Sequence, residues 1–204
     1  MISLLATVVM TSTSFISPNY SQTDLPDNNF VEALEEFQDE IHKGPTHPDF
    51  LACLEGGIMA TAPFAASLGE EIENIYAKFA IDFASYKDRP NLSLIEKIED
   101  DMLALRGALK TLSSPLPFKQ PMAASLERFS AEVQNPLPIS KEAFNYLQGE
   151  EYVLWMLASE ISAQFDDAFD KLDDDFEYFI EKPNDETQKI VLSDIEALQA
   201  LLKD

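Results

Sequence analysis

The densest run of chemically capable side chains is Gln164–Phe179, QFDDAFDKLDDDFEYF, with six aspartates and a glutamate against one lysine. Carboxylates in that number suit three kinds of chemistry: ligating a divalent cation, working as general acid and base, or pairing with the cationic side chains of a partner. The choice depends on where the backbone puts them. At about 100° per residue, a helix carries Phe165, Phe169, Leu172, Phe176, Phe179 and Ile180 on one face. Asp166, Asp170, Asp173, Asp174, Glu177 and Glu181 fall on the flank beside it. The acids then form a row stepping about 5–6 Å along the axis, not a convergent cluster.

Known metal-binding patterns fit these carboxylates only in part. Asp166–Glu177 has the twelve-residue length of an EF-hand loop, but Ala168 and Lys171 stand where a ligand and the turn glycine belong. Asp166-Asp-Ala-Phe-Asp170 resembles the DDxxD motif of all-helical prenyl-diphosphate enzymes, which implies Mg²⁺ gripping a diphosphate. The resemblance covers five residues, with no second aspartate-rich motif outside the same helix and no basic cluster for the diphosphate. Glu70/Glu73 with Glu96/Glu99 is similar to the paired carboxylates of all-helical nucleotide pyrophosphohydrolases. In an antiparallel hairpin, however, Glu73 and Glu96 stand roughly 15 Å apart along the axis. His42, His47 and Asp49 supply three ligands where structural zinc takes four. Cys53 is the only cysteine, so no intramolecular disulfide forms, and it is expected as a buried structural thiol. There is no phosphate loop, nucleophile elbow or Cys/His arrangement. The chain lacks a complete catalytic set, and no cofactor or metal is assigned. A carboxylate-based metal-dependent hydrolase or transferase is the alternative.

Charge points to the third chemistry. The formal net charge is −23 over 204 residues, unevenly spread: −7 over residues 1–42, −3 over 43–141, −11 over 142–181 and −2 over the rest. Such a chain repels nucleic-acid backbones and anionic membranes and favours cationic partners. The expectation is a non-enzymatic interaction protein whose acidic face, Asp166 to Glu181, docks a basic protein surface. The step of the row resembles the phosphate spacing of a nucleic-acid strand, as in DNA-mimic inhibitors; acidic immunity proteins dock toxins with similar faces.

The elements that must position these residues read as all-α: a single-domain bundle of about six to seven amphipathic helices with proline-rich loops. Few glycines, 46% apolar residues and no strand alternation support this, and no repeat period is apparent. Residues 1–23 form an apolar, Ser/Thr-rich arm. They fit the start of a cytoplasmic protein, or an export signal in residues 1–17 of a secreted or periplasmic one; the uncharged Ser/Thr run also resembles type III secretion signals. They are too short for a membrane span.

Residues 24–204 form the helical domain, with a possible subdivision near 113–139. The first helix runs from a cap at Asp27 to about Lys43, with Phe30, Leu34, Phe37 and Ile41 on one face. A second begins at Pro48–Asp49 and breaks or kinks at Thr61–Pro63. Its Ala52, Gly56 and Ala60 allow close backbone approach, within the chain or across a homodimer seam. The third, to about Tyr86, carries Ile72, Tyr76, Phe79 and Phe83. The fourth opens on a Ser93–Glu96 capping box. A short helix follows near 121–134. A long helical stretch runs from Ser140 to Glu181 with an interruption at Gly149, and a last helix covers 185–202.

Overall fold

The computed structural model describes residues 47–112 and 117–203. Those residues form seven α-helices and no strand: α1 (Pro48–Ser67), α2 (Glu70–Asp88), α3 (Leu92–Leu109), α4 (Lys119–Val133), α5 (Lys141–Ala158), α6 (Ala163–Glu181) and α7 (Asp185–Leu201). The arm and the helix expected from Asp27 lie outside the described residues. One apolar core joins all seven, and the stripes read from the sequence supply it: Ile72, Tyr76, Phe79, Phe83 and Tyr86 from α2, and Phe165, Phe169, Leu172, Phe176 and Phe179 from α6. Each such side chain contributes roughly 1.5–3 kcal/mol on burial.

Local boundaries differ from the sequence expectations at four places, each for a physical reason. α1 passes through Thr61 and Pro63 to Ser67. Packing on both sides offsets the proline, and Ser125 of α4 donates to the Ala60 carbonyl oxygen at 2.7 Å beside it. α3 is capped two residues earlier than Ser93, by Asn91, whose side chain accepts from the Leu94 N–H at 3.1 Å. The short helix starts at Lys119 and holds Pro121 in its first turn, where a proline has no N–H bond to lose. The stretch after Ser140 runs through Gly149 and breaks at Ser159–Ser162 instead, where Ser162 caps α6 by accepting from Phe165 N–H at 3.2 Å.

Gly149 has a different task. α1 and α5 make the most extensive helix–helix contact. A Cβ on Gly149 would stand 1.7 Å from the carbonyl oxygen of Cys53, and one on Gly56 would stand 1.9 Å from that of Tyr146. Ala52 and Ala60 are fully buried. The small-residue seam of α1 is thus filled by α5 of the same chain. Ala52, Gly56 and Ala60 therefore serve close packing within the chain, with Ser125 of α4 bonded to the Ala60 carbonyl at the far end. By length and composition, α1 alone among the described helices could cross a membrane; here it is the central helix of the core.

The two glycines expose an organisation that the sequence expectation of no repeat missed. Gly149 follows Gly56 by 93 positions, and Tyr146 follows Cys53 by 93. The same offset carries the start and end of α2 (Glu70, Asp88) onto those of α6 (Ala163, Glu181), and the start of α3 (Leu92) onto that of α7 (Asp185). Residues 47–110 and 140–203 are therefore two copies of one three-helix unit, packed through α1 and α5 with the roles exchanged. Thirteen of the 64 paired positions are identical, and several do visible structural work. Asn91 and Asn184 cap α3 and α7 after a shared proline. Lys78 bridges Asp82 on its own helix and Asp101 on the next, while Lys171 bridges Asp175 and Asp194 in the same way. In sequence, the segment before each unit carries an apolar set of the same spacing, Phe30, Leu34, Phe37 and Ile41 against Met122, Leu126, Phe129 and Val133, at an offset of 92 and so one residue out of register with the units.

Candidate acidic docking face

Five buried apolar side chains hold α6 against the core and turn its acidic flank outward. Asp170, Asp174, Glu177 and Glu181 are exposed, while Asp166 and Asp173 are half-buried. All six expected row residues thus lie along one flank, about 22 Å from first to last at 1.5 Å per residue. The row does not stand alone. Its inner edge meets α5, where Trp155 Nε1 donates to Asp170 at 3.1 Å and the Tyr152 and Trp155 rings lie 6.2 Å apart. Trp155 remains 39% exposed and so sets an aromatic surface beside the carboxylates, whereas the exposed Tyr178 lies past the row with Lys182 Nζ 4.7 Å over its ring. Lys171, the one base of the helix, is turned away into its pairs with Asp175 and Asp194.

Behind the row lies what sequence reasoning missed. Glu151 of α5 is buried and hydrogen-bonds Asp173, with Glu177 close by. Burial, then the Asp173 and Glu177 charges, hold its carboxyl well above the usual range. Asp173 is also raised, by burial and then by its acidic neighbours. Glu150, the adjacent residue, is fully buried and pairs with Arg128 of α4. Burial outweighs the arginine and lifts it to about 7. The burial stripe of α5 was the only available signal, because two consecutive glutamates ordinarily read as a solvated face.

The other candidates disperse. Glu70, Glu73 and Glu96 are exposed on their helices. His47 caps α1, its Nδ1 accepting from the Asp49 N–H at 3.3 Å, and Asp49 pairs with Lys141. His42 lies outside the described residues. Cys53 is half-buried; burial, reinforced by the Glu151 charge, pushes its thiol up to about 11, far from a nucleophile's range. Among the described residues no three His, Cys, Asp or Glu are gathered as a metal-ligand set. Concavities of about 540 Å³ beside Lys189 and about 320 Å³ beside Lys87 take in none of the row.

Comparison of the chain with family models, curated proteins and solved structures gives no match. The molecule does supply its own comparison, because every row residue has a counterpart in α2. Asp166 and Glu181, at the two ends, correspond to the acids Glu73 and Asp88; the central Asp170, Asp173, Asp174 and Glu177 correspond to Ala77, Ala80, Ile81 and Ala84, while Glu151 and Trp155 correspond to Ile58 and Ala62. Ile81 is 66% exposed. The same helix in the same setting therefore tolerates a surface of small and apolar residues.

Proposed function

We propose that this protein is a non-enzymatic binding protein whose α5–α6 face docks a basic protein surface, acting as an inhibitor that fills a cationic groove. The supporting observation is the contrast between the units. A helix of this unit does not require acids at the middle of that flank, since Ala77, Ala80, Ile81 and Ala84 serve α2 there. Like charges three and four residues apart cost stability, so their concentration on α6 alone argues for use in binding. A linear row beside exposed Trp155 suits lysine and arginine side chains, which gain both ion pairs and contact with a ring face.

The test is binding of a lysine-rich amphipathic peptide, with cations every third or fourth residue, measured across salt concentrations. Affinity should fall steeply between about 50 and 300 mM salt, where the Debye length shortens to a few Å. Asp170→Lys with Asp174→Lys should weaken it at least tenfold. Binding indifferent to salt, or to that double substitution, would rule the face out.

A further inference from the structure

Glu151 stands apart from the other sequestered carboxylates. Asp101 has Lys78, Glu150 has Arg128, and the mostly covered Asp194 has Lys171. Glu151 is only 7% exposed, yet the charged groups that act on it are other acids, and its Oε1 has no hydrogen-bond partner. The groups facing it are the Cys53 thiol from α1 and Asp173 and Glu177 from α6, with Asp170 and Asp174 bearing on Asp173 in turn. Arg128 of α4 is engaged by Glu150. Packing does not demand a carboxylate here, because Ile58 fills the equivalent position in the first unit at 2% exposure. Trp155 lies four residues on, one turn along the same face of α5.

We infer that Glu151 and Asp173, carboxyls in contact, one buried and one half-buried, hold one proton between them, that with Glu177 they form a socket for a single cationic side chain of the docked partner, and that seating it expels this proton. The step balances. The partner's ammonium or guanidinium arrives charged, the Glu151 carboxyl ionises, its proton leaves to solvent, and the new cation lies between two carboxylates. Trp155 beside it supplies a ring for the same cation. Before docking, the shared proton spares the joint an unpaired buried charge. The socket rests on the docking reading above and adds to it a proton count and one deep contact.

The experiment is calorimetric titration of the full chain with the lysine-rich peptide between pH 5 and 8, in two buffers of different ionisation enthalpy. The expected result is release of about one proton per peptide bound at the acidic end, with affinity rising several-fold as pH rises. Glu151→Gln and Glu151→Ile should each abolish the release while the peptide still binds through the row; the isoleucine variant keeps a side chain that the first unit already packs. Peptide binding with no proton released, or with release unchanged in both variants, overturns the socket and leaves the docking face standing. Failure of the wild-type chain to bind the peptide overturns both.

Discussion

Buried carboxylates respond to their surroundings one at a time, and Glu150 gives the clearest case. Its folded-state value of about 7 lies above the roughly 4.3 of an unfolded chain. A raised value means that folding favours the protonated form. The associated stability is present below about pH 4.5 and is lost as pH rises to about 7. Glu150→Gln removes that dependence while keeping an acceptor for Arg128. Urea titrations should show the variant gaining on the wild type by about 2–4 kcal/mol between pH 4.5 and pH 7.5. A constant difference across that range would mean that Glu150 is ionised throughout, held by Arg128. Nothing in the local sequence announces this residue. Glu150-Glu151 become chemically distinctive only because α4 and α6 cover them, and that is tertiary information.

At the level of helices, sequence pattern served well wherever periodicity alone decided the outcome. The α2 and α6 stripes are buried as spaced, except for half-buried Ile180 at the end of α6, and Pro183 follows just after the Lys182 cap. Pattern failed where a neighbouring helix overrode local preference. Pro63 and Gly149 both read as breaks, yet both sit inside continuous helices: α1 and α5 press together at Gly149, and near Pro63 Ser125 of α4 bonds the Ala60 carbonyl while Phe118 packs on Phe64. Conversely, the real break at Ser159–Ser162 carries neither glycine nor proline. Gly149→Ala would drive a methyl group into the Cys53 carbonyl, and neither backbone can yield cheaply. The variant should lose at least about 3 kcal/mol in denaturant melts, more than an alanine ordinarily costs at an exposed helix site. A loss under about 1 kcal/mol would mean that the helices can separate freely at this crossing.

For the molecule as a whole, the net charge of −23 sets a global condition. Dispersed self-repulsion weakens the compact state, and screening relieves it. The melting temperature should therefore rise by a few degrees between about 10 and 200 mM NaCl, the reverse of the expected effect on partner binding. A falling melting temperature would show that the Lys78 and Lys171 bridges outweigh the repulsion. The helical class was legible from composition and spacing, and the acid row from helical angles alone. The repeat was not: about four-fifths of paired positions differ, and its period is longer than any single element. It became visible when the reciprocal glycines showed which residues are equivalent.

That reciprocal crossing of α1 and α5 has one further consequence. Two identical subunits meeting this way would obey a strict rule: any substitution on one appears on the other, so both outer faces change together. Joining the units in a single chain lifts the rule. Each face becomes an independent variable, free to take its own chemistry while the shared crossing stays fixed. Asp174 on one side and Ile81 on the other are what that freedom permits. The molecule is a symmetric frame with a front and a back.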